Sequence, residues 1–210
     1  MNKKNVIKRI AFVAAFSAIS GVLYCFLKFP LPIFPSFLDI NFSMIPIIIC
    51  AFMLGPWDAC ICVLLRFVVK IIGPGTGTAY VGELADIFMG LATAIVSGCI
   101  YKYTKWKAKA PIAFVSVIVV WVLTGIITNV FINIPFYLQF YFDGAWEPLI
   151  GMCDSAFKLI SFGRATVNVD NFMVYYVFLA VIPFNLLLSG IVAGITALIH
   201  KRLRVLYDMI

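Results

Sequence analysis

Four ionisable side chains fall at helical spacing inside apolar sequence: Arg66 and Lys70, four apart, and Glu83 and Asp86, three apart, on either side of the turn Gly73-Pro74-Gly75-Thr76-Gly77-Thr78. Residues three or four apart share a helix face, so each pair forms one polar stripe. A charge in hydrocarbon costs a few kcal/mol even on lenient scales, so such groups face protein or water. Two chemistries follow. Either the stripes neutralise each other as an ion cluster, with Arg66 pairing to Asp86, or they wall a polar pocket. Three amides add to the set: Asn129 and Asn133 on one face, and Asn185 two residues after Pro183. A buried amide must find a hydrogen-bond partner, in a neighbouring helix or on a ligand.

Catalytic and metal chemistry find little support. The single histidine, His200, stands beside Lys201 and Arg202 and is placed to titrate with lipid headgroups rather than to serve a nucleophile. An intramembrane hydrolase built on Glu83 and Asp86 would lack the doubled Glu or His motifs that such enzymes need. The six cysteines are scattered, and Cys60 and Cys62, two apart, point to opposite sides of a helix and make a poor chelator. No Gly-Lys-Ser or Gly-Lys-Thr phosphate loop is present, so ATP hydrolysis has to come from elsewhere. We therefore expect no enzyme, no metal and no cofactor.

The elements that must position these groups are membrane helices. Of 210 residues, 64% are hydrophobic and 12% charged, and the mean hydropathy is +1.08, far outside the soluble range. Spanning helices need about 20 apolar residues, and six apolar segments occur, at 10–28, 40–54, 57–72, 84–103, 111–134 and 172–199. The second and third are short and join through Gly55-Pro56. The first follows a basic start without a small-residue cleavage pattern, so it is expected to remain as a span rather than leave as a signal. One six-helix domain over 1–210 is the expected fold class: an all-α integral membrane protein.

Charge order sets its orientation. Eleven of the sixteen Lys and Arg lie in three blocks: Lys3 to Arg9, Lys102 to Lys109, and Lys201 to Arg204. Cytoplasmic loops carry such excess, which puts both termini in the cytoplasm and the connections 29–39, 73–83 and 135–171 outside. The net charge of +7 is thus directed at anionic lipid rather than nucleic acid. Counting about 1.5 Å per residue from the cytoplasmic ends, Asn129 is about 27 Å up and Asn185 about 21 Å up. Amides, ionisable stripes and the first outer connection then converge on the outer half of the bilayer, and a pocket open to the outside is expected.

That connection, Phe29-Pro30-Leu31-Pro32-Ile33-Phe34-Pro35-Ser36-Phe37-Leu38, has three prolines, which favour extended chain over helix. It reads either as a lid over a ligand or as an aromatic belt in the headgroups. Ala11, Ala15 and Ala18, with Ala14 alongside, form a small-residue stripe that lets another helix approach closely, internal or foreign.

The ordered stretches Phe29-Pro30-Leu31-Pro32, Phe37 to Pro46, Leu54-Gly55-Pro56, Val81-Gly82-Glu83-Leu84-Ala85-Asp86, Asn129 with Ile134-Pro135, and Ile182-Pro183-Phe184-Asn185 resemble the substrate-binding S components of energy-coupling factor (ECF) vitamin transporters of bacterial cytoplasmic membranes, most closely the riboflavin-specific type. The resemblance runs along nearly the whole chain. It implies six helices with the first outer loop as lid, a transmembrane T component met by the alanine stripe, and two cytoplasmic ATPases. It also implies capture of a vitamin from outside, with ligand contacts at Phe37, Leu38, Phe42, Thr78, Glu83, Asp86, Asn129 and Asn185. The chain departs from the riboflavin pattern in three places. Asn41 and Met44 replace aspartates, Arg66-Phe67 replaces Lys-Asn, and Leu188 replaces a lysine three residues after the Asn of the Pro-Phe-Asn motif. The alternatives are a carrier for another vitamin, such as pantothenate, and a solitary transporter in which Glu83 and Asp86 relay protons.

Overall fold

A computed structural model describes residues 3–164 and 166–207, so the domain expected over 1–210 runs past the described residues at both ends. Helix α1 (Lys3–Phe26) leads into a short antiparallel hairpin of β1 (Lys28–Pro30) and β2 (Asp39–Asn41), in which Phe29 faces Ile40. Then come α2 (Met44–Met53), α3 (Pro56–Ile72), α4 (Val81–Tyr103) and α5 (Lys109–Thr128). A π-helical turn, Asn129–Asn133, carries α5 directly into α6 (Ile134–Phe142). Helix α7 (Trp146–Ile160) follows, and α8 (Phe172–Tyr175) passes through a second π-helical turn, Tyr176–Val181, into α9 (Ile182–Tyr207).

Both π turns end one residue before an Ile-Pro pair. Pro135 and Pro183 have no N–H to give to the preceding turn, and the wider π register absorbs the mismatch without stopping the helix. The fifth apolar segment therefore does not end near 134, as its sequence suggested, but runs to Phe142, and a widened turn lies just before Pro183. The 135–171 connection is accordingly helical over much of its length. Burial pushes the Cys153 thiol on α7 up to about 12, so it packs as a small neutral group.

Four helical stretches among the described residues are long and apolar enough to cross a membrane: Asn5–Phe26, Val81–Tyr103, Lys109–Phe142 and Phe172–Leu203. The two segments read as short are α2, with 10 residues, and α3, with 17. Every residue of α2 is buried, because α1, α3, α4 and α9 pack around it. Its continuous Ile-Ile-Ile run is therefore a protein core rather than a lipid-facing surface. Close contacts fix the neighbours: a Cβ on Gly98 of α4 would lie 3.0 Å from the Pro56 backbone, and one on Gly21 would lie 2.7 Å from Val69.

One end of this bundle is tied by charge. Arg9 grips Asp58 through Nε at 2.8 Å and 3.0 Å, and Lys102 Nζ donates to the carbonyls of Met53 and Leu54, which end α2. Those carbonyls lack intrahelical donors, so the ammonium caps them.

Candidate functional site

At the other end the helices part around a cavity of about 870 Å³, counting the portion open to solvent. Its roof is the hairpin and the loop between its strands. Phe34 and Leu38 are buried and Phe37 half-buried. Phe34 meets Phe184 edge-on at 5.3 Å, and Phe37 meets Tyr137 at 5.7 Å and Tyr176 at 6.1 Å. Phe29 and Ile33 point outward and are exposed. The loop thus divides its apolar residues between an inward plug and an outer rim. Lys28 Nζ lies 3.0 Å from Asp39 Oδ2, tying the two strands, and both residues line the cavity.

The wall from α1, α3 and α4 is polar and charged, with Tyr24, Lys70, Thr78, Glu83 and Asp86. Glu83 is held by the turn before it: the hydroxyls of Thr76 and Thr78 both donate to its Oε2 at 2.8 Å. The Thr76 oxygen also accepts the N–H groups of Thr78 and Tyr80, which lets Ala79 and Tyr80 take left-handed backbone before α4 begins.

Arg66 does not pair with Asp86 as the spacing suggested. Its Nη1 donates to Ser43 Oγ at 2.7 Å and its Nη2 to the Asp86 main-chain carbonyl at 3.4 Å, while the guanidinium lies 4.7 Å over the Tyr24 ring. Lys70 Nζ lies 5.6 Å over the same ring. The described ion pairs are Arg9 with Asp58, Lys28 with Asp39 and Lys158 with Asp154. The correction has a plain cause. The Tyr24 ring offers its face to both cations, a contact that charge spacing within α3 and α4 does not reveal.

The wall from α5, its π turn and α9 carries amides and aromatics: Trp121, Asn129, Asn133, Phe184 and Asn185. Asn129 Nδ2 donates to Gly125 O at 2.8 Å, and its Oδ1 accepts from Tyr176 Oη at 2.7 Å and from Asn133 Nδ2 at 3.3 Å. Asn185 Nδ2 donates to Val181 O at 2.8 Å, and its Oδ1 has no protein donor among the described residues. Asn185 fits because position 125 is glycine: a Cβ there would sit 2.9 Å from its Cγ and Nδ2. Each carboxamide keeps one N–H unused. The wall is therefore internally braced and still offers donors and acceptors to a guest.

Of the eight expected ligand contacts, Phe37, Leu38, Thr78, Glu83, Asp86, Asn129 and Asn185 line this one cavity; Phe42 does not, and packs against Phe29 at 6.5 Å instead. As the first residue past β2, it is half-buried against the core and takes no part in the plug. Sequence reading did not single out Tyr24, Trp121 or Tyr137, which look like ordinary core or interface aromatics. Ala11, Ala14, Ala15 and Ala18 are all exposed along one side of α1.

The profile of the family described as "ECF transporter, substrate-specific component" matches residues 8–200. Two proteins called riboflavin transporter RibU are similar to the chain. That of Staphylococcus aureus (strain TCH60) is 24% identical over 196 residues, 93% of this chain and 90% of the relative. That of Leuconostoc mesenteroides subsp. mesenteroides is 27% identical over 139 residues, 64% of this chain and 70% of the relative. A solved structure described as that of the S component of a bacterial ECF transporter superposes with a TM-score of 0.66 at 23% identity, covering 94% of this chain and 95% of that one. That likeness supports the fold.

Proposed function

The chain belongs to the substrate-specific component family of ECF transporters, and is thus a multi-pass membrane transport subunit and not an enzyme; from that premise we propose that it captures riboflavin, or a related flavin, outside the bacterial cytoplasmic membrane. The chain crosses that membrane six times in this reading, with α2 and α3 as short protein-enclosed crossings and both termini in the cytoplasm. The positive-inside distribution of Lys and Arg supports this orientation. A T component and two ATPases drive release inward, the T component docking on the exposed Ala11, Ala14, Ala15 and Ala18 face, where small side chains permit close helix approach.

The observation that carries the reading is the two-sided cavity. A flavin is a planar ring system edged with carbonyls, ring nitrogens and an imide N–H, joined to a chain of hydroxyls. The amide and aromatic wall at Asn129, Asn185 and Phe37 suits the ring, and the Thr78, Glu83 and Asp86 wall suits the hydroxyls. Leu38 closes the plug above. Both relatives with significant similarity bear the riboflavin name.

The experiment is to purify the protein from its membrane, record the absorbance of whatever accompanies it, and titrate the emptied protein with riboflavin. A bound yellow chromophore and saturable flavin binding are expected. A colourless preparation indifferent to riboflavin overturns the assignment. One observation favours pantothenate as the second reading. Lys70 is buried in the cavity wall without a carboxylate partner among the described residues, and a cation so placed suits a carboxylate guest. Titration with pantothenate distinguishes the two. Uptake that persists in cells lacking the ATPases would instead point to a solitary transporter.

A further inference from the structure

Two buried side-chain atoms, Trp121 Nε1 and Asn133 Oδ1, have no protein partner among the described residues and belong to residues in the wall of this cavity. A buried donor with nothing to bind costs about 1–3 kcal/mol, and buried indole N–H groups usually have a partner. Trp121 is only 1% exposed, so water does not stand in freely.

Its place on α5 is informative. Trp121, Gly125 and Asn129 follow one another at four-residue intervals, so they stack on one face of the helix. The Asn185 carboxamide lies over Gly125, between the other two. Trp121 is then about 12 Å further from the lid than Asn129, at the foot of the cavity. Its neighbours in that wall, Met89, Phe184 and Leu188, are apolar and present neither oxygen nor nitrogen from a side chain. The indole N–H is the one buried side-chain donor of this wall without a protein partner among the described residues, and so the donor left for a polar atom of a guest that reaches the foot.

We infer that Trp121 is a specificity-determining contact of this site, its Nε1–H donating to a carbonyl or ring-nitrogen acceptor at the deep end of the bound vitamin. The inference rests on the transport reading above and adds to it a requirement on the ligand: its leading end is a heteroatom-bearing group rather than a hydrocarbon. A site that ends in a fixed donor rejects an analogue lacking the acceptor, because the donor is then buried unpaired.

The test is riboflavin titration of the full chain in detergent, using three proteins: the parent, Trp121→Phe, and a protein with β-(3-benzothienyl)alanine at position 121, which keeps the fused ring and replaces N–H by sulfur. Both variants should bind riboflavin about five- to thirtyfold more weakly than the parent, the loss corresponding to one hydrogen bond, with thermal midpoints of the benzothienyl protein and the parent alike. If the benzothienyl protein binds within twofold of the parent, ring packing carries the effect and the inference is overturned, whatever Trp121→Phe does. If the parent ignores riboflavin and binds pantothenate, the flavin reading fails. The same comparison with pantothenate then decides the role of Trp121 by the same criterion. A parent that binds neither overturns both.

Discussion

Where α1, α3 and α4 meet at one end of the bundle, Arg9 closes on Asp58 and Lys102 caps the carbonyls of Met53 and Leu54; at the other end, Asn185 Oδ1, Asn133 Oδ1 and Trp121 Nε1 have no protein partner among the described residues. Apolar contacts follow the same division. Phe52 stacks on Tyr101 at 4.3 Å and meets Phe114 at 5.3 Å in the first region, while the second keeps its aromatics around an open space. Native interiors satisfy nearly all buried polar atoms, so the unpaired Trp121 Nε1 and Asn133 Oδ1 in the wall of this hollow mark a part shaped for something besides its own stability. The tied end is the scaffold and the open end is the site.

This contrast is broken most directly by removing amides from the open end. Replacing both Asn129 and Asn185 by Ala should weaken vitamin binding by at least about thirtyfold, at about 1–3 kcal/mol for each lost buried contact. Asn185→Ala alone should lower the thermal midpoint of the empty protein only slightly, because the one protein bond its carboxamide makes, Nδ2 to Val181 O, contributes about 1 kcal/mol. Unchanged affinity in calorimetric titration of the double variant would remove these residues from the site.

The opposite result is expected at the tied end. Gly98→Val places a branched side chain against the Pro56 backbone, which a Cβ alone would approach to 3.0 Å. Overpacking of this kind costs about 1–3 kcal/mol, or several degrees at about 2–4 °C per kcal/mol for a chain of this size. Affinity in the protein that remains folded should match the parent. A selective loss of binding with an unchanged midpoint would erase the distinction between the two ends.

Gly125→Ala tests whether the open end depends on one missing side chain. The new methyl would meet the Asn185 carboxamide at 2.9 Å, and that group is fixed by its bond to Val181 O. A shift of the carboxamide should cost about five- to tenfold in affinity, corresponding to about 1 kcal/mol. The better helix propensity of Ala offsets part of the strain in overall stability, so the midpoint should move little. An affinity equal to that of the parent would show that the amide has room the geometry denies it.

How far these ends are legible in the sequence follows from the range of the signals. Helices announce themselves by apolar length, and the charge order suggests a direction for them. Asn129 and Asn185 stand out because amides are costly in hydrocarbon, and the three prolines of 29–38 exclude helix without reference to the rest of the chain. Four features are invisible at that range. The hairpin register, Lys28 opposite Asn41, depends on pairing across the loop. The π turns before Pro135 and Pro183 lie inside unbroken apolar runs. The Tyr24 ring lies under Arg66 and Lys70 only once α1 packs on α3. Trp121 reads as core from sequence because it is core, fully packed except for one N–H.

The hairpin latch sharpens the comparison at its weakest point, since it belongs to the open end yet is an ion pair like those at the tied end. Lys28 and Asp39 are 44% and 29% exposed in their side chains, so the pair contributes about 0.2–1 kcal/mol and is screened by salt. Lys28→Gln should therefore leave folding intact and raise the vitamin dissociation rate by no more than about fivefold at low ionic strength. The effect should vanish at about 1 M salt, where the Debye length is about 3 Å. Arg9→Gln, at the tied end, should lower the midpoint without altering that rate. If Lys28→Gln lowers the midpoint and leaves dissociation unchanged, the hairpin is part of the scaffold, and the aromatic plug of Phe34, Phe37 and Leu38 alone holds the roof closed.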